Sequence, residues 1–287
     1  MRIISILIII VGAGPLAAQQ AQQRGWRLDP DGDVRLTNYN GTVTISGWDR
    51  DSVALVAIVA GNAAIFGGGG TRGIKAGLEV GDPTGSPRAE FTLRVPRRAR
   101  IAIRGAETTV DVSDFAGALD VTTLGGSVRV AGGAEITAET MGGNVDIAGS
   151  PAYLRVRTAG GRISWSGESD NVSLTTVTGA IDLPATTLLR ARIESIAGNV
   201  TWGGGVKPDG RVEIDSHAGN ITLALSSGAR ANLTLDAPKS SVAGRSFARA
   251  PGKSAPLATV RDGAEPGKRS AEVLARTFKG TVTVTTP

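Results

Sequence analysis

The chain has 287 residues, 31 basic and 26 acidic side chains, a formal net charge of +5, 40 glycines, 4% aromatic residues, one histidine and no cysteine. The lack of cysteine excludes disulfides, thiolate zinc sites and a thioether-linked lipid, and a single histidine leaves no imidazole cluster for a metal. Abundant glycine with few aromatics suits a turn-rich β protein and fits poorly with a helical enzyme.

Residues 1–18 have the layout of an export signal. Arg2 provides the positive start, Ile3 to Val11 the apolar run, and Ala17-Ala18 the small residues before Gln19-Gln20. Cleavage is expected after Ala18, with an uncleaved anchor as the alternative. The apolar run is shorter than the ~20 residues of a comfortable membrane span. The rest, residues 24–287, is expected to form one domain of an exported protein, periplasmic, at the outer-membrane surface or extracellular.

An opening β segment follows over residues 26–60. Asp33 to Leu36 leads through Asn38-Tyr39-Asn40-Gly41 into Thr42 to Ile45, and Gly47-Trp48-Asp49 turns into the β-forming run Ser52 to Val59. Asp29-Pro30-Asp31-Gly32-Asp33 has alternating carboxylates, but neither the glycine nor the closing glutamate of a calcium loop falls in place, so a turn is expected. Residues 61–87, with Gly67 to Gly70 in a row, are expected to be a mobile glycine-rich loop holding at most one strand. They lack the Gly-Lys-Ser/Thr ending of a phosphate loop.

Glu90 to Val95 reads as a strand and Pro96 as a corner. Arg94, Arg97, Arg98, Arg100 and Arg104 crowd this region. Such a cluster suits an anionic partner or a solvated edge that discourages strand-to-strand aggregation. Arg97, Arg98 and Arg100, with Trp48 as the aromatic most open to a ligand, are the candidate partner-binding residues. Without interleaved aromatics the cluster does not suggest nucleic acid.

From Ile101 a triplet of apolar, small or polar, then apolar residues returns every nine residues, with one step of eight. It runs through Val110-Asp111-Val112, Val128-Arg129-Val130, Val145-Asp146-Ile147 and on to Ile181-Asp182-Leu183. A second beat has twice that interval: a Ser or Thr three residues before a Gly, at 123/126, 140/143, 158/161, 176/179, 195/198 and 216/219. A simple antiparallel meander would repeat its turn every nine residues. A turn signature at every second unit favours a β-solenoid of ~18-residue coils, each with two short strands and two unlike corners. The apolar residues of each triplet then point inward and the middle one outward. Corner glycines suit positive φ or close backbone approach, and stacked Thr or Ser hydroxyls can bond between rungs.

After Leu235 the register lapses. Residues 238–269, rich in Pro, Gly, Ser and basic side chains, are expected to be a flexible basic insertion. Ser270 to Arg276 reads as a strand, and Thr277-Phe278-Lys279-Gly280 with Thr281 to Val284 repeats the corner-plus-strand unit of Asn38 to Ile45.

The Asn-Tyr-Asn-Gly-Thr-Val-Thr-Ile-Ser-Gly-Trp-Asp run at 38–49, the Val95-Pro96 corner and the serial Thr-x-Gly-Gly-x-Val-x-Val units resemble the DUF4097 family of exported bacterial proteins, also called adhesin or toast-rack domains. The resemblance covers roughly residues 30 to 287 and departs at 61–87 and 238–269. It implies an all-β, solenoid-like fold, an envelope or surface location and no established enzymatic activity.

Catalytic groupings are sparse. His217 stands alone at a corner, and there is no metalloprotease helix or nucleophile elbow. On an 18-residue coil Asp111, Arg129, Asp146, Ser164 and Asp182 stack in one outward column. Asp111, Arg129 and Asp146 would make a salt-bridge ladder, and Asp146 and Asp182 would stand two rungs apart, within the reach of a glycosidase pair. Trp165 and Trp202, second apolar members of their triplets, are expected in the core. The sequence thus suggests a non-catalytic interaction protein that presents a repetitive surface to a glycan or an envelope protein. It calls for no cofactor, no metal, no nucleic acid and at most peripheral membrane contact. The alternatives are a glycoside hydrolase or lyase and an envelope-stress sensor or scaffold.

Overall fold

The structure is a computed structural model that describes residues 20–60, 63–79, 87–226, 231–248, 258–261 and 270–285. The expected export signal lies outside them. Every regular element among the described residues is a β-strand, so the protein is all-β.

The pairing follows the longer of the two sequence beats. Leu119, Ile136, Leu154, Val172, Ala191 and Val212 are consecutive partners in one parallel, in-register ladder. Val128, Val145, Ile163, Ile181, Val200 and Ile221 are consecutive partners in a second. Each strand therefore skips its neighbour in sequence and pairs with the next strand but one. The steps of 17 to 21 residues are those of the corner glycines. Bulges absorb the longer steps near Gly167, Thr186 and Arg190.

Alternation sorts the side chains. The strand Tyr153–Thr158 buries Leu154 and Val156 while Tyr153 and Arg157 stay exposed. The inward rows of both ladders belong to one apolar cluster, which includes fully buried Trp165 and Trp202. Each buried Val or Ile contributes about 1.5–3 kcal/mol. Both indoles also satisfy their polar edge, Trp165 Nε1 donating to Gly149 O at 3.1 Å and Trp202 Nε1 to Thr186 Oγ1 at 2.9 Å.

Corners between the ladders are built by a local hydrogen bond and a close approach. The glycine N–H donates to the hydroxyl three residues earlier: Gly143 to Thr140 at 3.0 Å, Gly161 to Thr158 at 3.0 Å, Gly179 to Thr176 at 3.0 Å and Gly219 to Ser216 at 2.9 Å. Most capping hydroxyls thus serve their own corner. Thr123 and Thr277 also donate to the neighbouring rung, at Ala106 O (2.6 Å) and Gly219 O (3.0 Å). A Cβ on Gly143 would overlap the carbonyl oxygen of Gly126, and the same holds for Gly161 on Gly143, Gly179 on Gly161 and Gly198 on Gly179. Of the six paired corner glycines only Gly126 has positive φ, at +82°. Close stacking, rather than backbone handedness, therefore demands glycine here.

Two stretches differ from expectation. The glycine-rich region contains two strands, Ala64–Gly70 and Gly73–Glu79, paired as an antiparallel hairpin. Its glycines make room for aromatic rings: a Cβ on Gly67 would meet the Trp26 ring, and one on Gly77 the Phe66 ring. Region 238–269 holds strands Lys239–Val242, Arg245–Ala248 and Ala258–Arg261. These short strands lie at the end of the sheet, where one side lacks a further rung; residues 249–257 and 262–269 of the expected insertion lie outside the described residues.

Both ends are threaded. The first unit (33–37 with 41–48) lies between residues 100–115 and the later unit formed by Gly73–Glu79 and Arg88–Pro96. The last unit (Ala271–Thr277 with Thr281–Thr285) lies between residues 211–225 and the earlier unit 231–242. Antiparallel strands then cover the open ladders at each end. Asn38 to Ile45 and Thr277 to Val284, alike in sequence, occupy equivalent second-from-end positions.

Gly143→Ala is expected to destabilise the fold by about 1–3 kcal/mol through overpacking on the Gly126 carbonyl. Gly142→Ala, one residue away with open space around it, should stay within ~0.5 kcal/mol. Chemical denaturation of both variants measures the difference.

Candidate functional site

The expected candidate residues do not form one patch. Arg94 faces out from the second ladder, Arg97 and Arg98 lie on the turn after Pro96, and Arg100 and Arg104 face out from the first ladder. Arg97 is held by Asp49 at 3.0 Å and by the Asp114 carbonyl at 2.9 Å. Trp48 is half-buried, donates through Nε1 to Ser52 O at 2.8 Å, and carries the Arg50 guanidinium 5.1 Å from its ring centroid. These contacts tie Trp48 and Arg97 into the turn. Arg100 alone of the four joins the surface described next.

The outward column Asp111, Arg129, Asp146, Ser164, Asp182 exists in the expected register. Its ion pairing is thinner than a continuous ladder. Arg129 approaches Asp146 at 4.0 Å, and Asp182 is taken by Arg162 at 2.5 Å. Asp29 to Asp33 forms a turn closed by Gly32 N–H to Asp29 O at 2.9 Å. Among the described residues no three His, Asp or Glu side chains converge to hold a metal ion. His217 stacks on Phe278 with centroids 5.4 Å apart.

The richest surface is the outer face of the first ladder. Tyr153 opens its strand and sits beside Glu135 on one side and Asn171 on the other. Two residues on, Arg155 lies between Thr137 and Ser173. The face sinks on both sides of this tyrosine–arginine ridge. Short Ala102 and Ala118 lie in one depression, walled by Arg35, Arg100 and Glu135. Asn171 and Ser173 lie in the other, walled by Arg190, Arg192 and Arg211. Tyr153 borders both.

Charge on this face is partly neutralised in pairs. Arg104 forks onto Asp120 at 2.8 and 3.2 Å. Arg192 meets Glu194 at 2.7 Å, Arg211 meets Glu213 at 2.7 Å and Arg276 meets Asp215 at 2.5 Å. The guanidinium pKa of each is raised, first by the hydrogen bond to that carboxylate. These arginines stay charged in any case, so the pairs set position rather than protonation. Arg35, Arg100, Arg155 and Arg190 have no carboxylate partner among the described residues. The Arg155 Nε is buried and unbonded. Unpaired guanidinium groups spread along this face, with Arg190 two rungs from the exposed phenol on one side and Arg100 three rungs away on the other, can take carboxylate or sulfate groups in a fork while a sugar ring lies on the tyrosine.

Sequence reasoning missed this face because it lined up the outward residues of only one ladder. Tyr153 precedes the triplet Leu154-Arg155-Val156, and counting back two from Arg155 would have placed it outward.

No family model matches the chain, and no curated protein does. Among solved structures it is similar to a putative adhesin from Bacteroides fragilis, at 10% identity over 95% of this chain and 100% of that one, with a TM-score of 0.45. It is also similar to a putative cell adhesion protein from Clostridium sporogenes, at 10% identity over 93% of this chain and 100% of that one, with a TM-score of 0.24. At such identities and superpositions neither likeness reaches function.

Asp146→Asn is expected to cost less than ~1 kcal/mol, since both partners of its ion pair are largely exposed. Thermal unfolding of the variant checks this; a loss of several kcal/mol would mean that the pair is structural.

Proposed function

We propose that the protein is a β-solenoid recognition module of the bacterial envelope, adhesin-like and non-catalytic, which binds an acidic glycan along the outer face of its first ladder. The observation that carries this reading is the Tyr153–Arg155 ridge between two depressions bordered by the unpaired Arg35, Arg100 and Arg190. Parallel pairing at one coil per ~18 residues supports the solenoid. Export, implied by residues 1–18, supports an envelope setting.

The chemistry is that of recognition. A sugar ring stacks on the exposed phenol, while carboxylate or sulfate substituents replace water on the arginines to either side. Successive rungs stand ~4.8 Å apart, so the arginine rows offer regularly spaced sites to a repeating polyanion. The carboxylates of the first depression do not favour hydrolysis: Asp120 is held by Arg104, and Asp33 and Glu135 lie on different rungs with a wide, open surface between them.

Binding of the purified protein to acidic and neutral glycans, at physiological and high salt and with products checked for cleavage, tests the reading. Acidic glycans are expected to bind selectively and to weaken with salt. Tyr153→Ala and the pair Arg100→Ala/Arg190→Ala should each lower affinity about tenfold, or ~1.4 kcal/mol. Unchanged affinity in all these variants would reject the site, and cleavage of the glycan would replace recognition with catalysis.

A further inference from the structure

The residue that follows the buried corner Ser, Thr or Asn faces solvent at corner after corner, and it is apolar at every corner but that of His217. Tyr39, Leu124, Met141, Val177, Ile196 and Phe278 expose 40% to 70% of their surface. They are six of the eight large exposed hydrophobic residues among those described, so apolar exposure is concentrated in this one column. Backbone bonds stack the corners directly: Met141 N–H to Leu124 O at 3.2 Å, Ala159 to Met141 at 3.1 Å, Val177 to Ala159 at 3.2 Å, Ala218 to Ile196 at 2.8 Å and Lys279 to His217 at 2.9 Å. At the rung spacing of ~4.8 Å, the apolar row from Leu124 to Ile196 is a crest roughly 19 Å long, which His217 and Phe278 continue.

The fold does not require this crest to be apolar. The corners are closed by the capping hydroxyl and the stacked glycine, and these side chains point away from the core. The next corner position is Gly125, Gly142, Gly160, Thr178, Ala197, Ala218 and Lys279 in turn. The Glu107 carboxylate lies over Gly125 and Lys279 follows Phe278, so charge bounds the crest at its two ends and is absent from the corners between Met141 and Ile196. On its flanks the carboxylates are paired: Glu139 with Arg157, Glu194 with Arg192, Asp215 with Arg276, Asp146 with Arg129 and Asp182 with Arg162. A mainly apolar ridge, uncharged from Met141 to Ile196, thus runs between two nearly neutral rails whose arginines have long, flexible stems.

Width and curvature decide the occupant. A crest one side chain wide offers on the order of 300 Å², against the ~800 Å² per partner that a stable protein interface takes. Being convex, it would also need a matching groove, and a second copy would present the same convex crest in a symmetric pairing. A lipid interface needs neither. Apolar side chains at one height sink together below the headgroups, and arginines beside them reach phosphate level.

We propose that this corner crest inserts into the interfacial region of a lipid bilayer, laying the long axis of the protein parallel to the membrane surface. The crest is separate from the Tyr153 face, and its arginine neighbours act after the apolar contact is made.

Because the chain has no cysteine, single substitutions report position cleanly. Full-length Met141→Cys, Ile196→Cys and, on the opposite edge, Ala134→Cys carry an environment-sensitive fluorophore and meet phosphatidylcholine vesicles at low and high salt. Blue-shifted emission at 141 and 196, little change at 134, and persistence in high salt are expected. The triple variant Leu124→Ser/Met141→Ser/Ile196→Ser should lower vesicle partitioning roughly tenfold relative to wild type, with unchanged thermal unfolding. Arg100→Ala/Arg190→Ala should partition as wild type does. Equal response at crest and opposite edge, or no response at the crest, overturns the proposal. So does a dimer in sedimentation velocity that the triple variant dissolves, which would assign the crest to a second copy.

Discussion

A glycine on one corner rests against the carbonyl oxygen of the glycine below it, and this contact repeats from Gly126 to Gly280. There is no space for even a methyl group between them. That closeness holds successive corners in register, and register fixes everything else. A slip of one residue would turn every Val and Ile outward and every Asp and Arg inward. The corner hydroxyls contribute less than this steric limit, since most satisfy one N–H at their own corner and only Thr123 and Thr277 add a bond to the neighbouring rung. Their role is to keep the turn tight enough for the glycines to meet.

Given this register, the two outer faces follow from what each strand carries at its middle positions, and the core places few demands on them. The first ladder acquires arginines, carboxylates and a tyrosine, while the second carries mostly short Thr, Ser and Asp side chains. Ion pairs such as Arg104–Asp120 and Arg276–Asp215 sit where rung spacing brings opposite charges together. Exposed pairs of this kind contribute ~0–1 kcal/mol each. They are better understood as a way of keeping the face soluble and leaving particular guanidinium groups uncommitted. Those left over, Arg35, Arg100, Arg155 and Arg190, are spread along the face on both sides of Tyr153.

Much of this architecture was legible in the sequence because its two periods have physical causes. Nine residues make a short strand and a turn, and eighteen bring the chain back above itself, so the inward Trp165 and Trp202 and the outward column Asp111 to Asp182 could be placed by counting. The ends were less legible. Gly67 to Gly70 looked like a loop because glycine is flexible alone, whereas here the run is a hairpin strand in which Gly67 makes room for Trp26 and Gly69 for the Gly73 carbonyl. Within the expected insertion 238–269, Lys239–Val242, Arg245–Ala248 and Ala258–Arg261 were hidden because short edge strands need few apolar residues. The arginine cluster near Pro96 looked like a patch, but three residues of travel around a corner are enough to distribute neighbours over three surfaces. Tyr153 and the apolar corner positions were hidden for the opposite reason: distant in sequence from the residues they join, they become neighbours only once the register is known.

The threaded ends bear on how the molecule is assembled in time. Chain order and spatial order disagree at both ends, for residues 33–48 lie inside 73–96 and residues 271–285 lie inside 231–242. A chain emerging from its N-terminus can zip the middle rungs as they appear, each on the one before. The unit at 231–242 has no such option. Its seat is the outer edge of strands 271–285, which are made after it, so it must wait or sit temporarily on rungs 211–225 and then give way. Completion of this end is therefore a step that waits for residues 271–285. Loss of only the final fifteen residues would cost two units of structure rather than one.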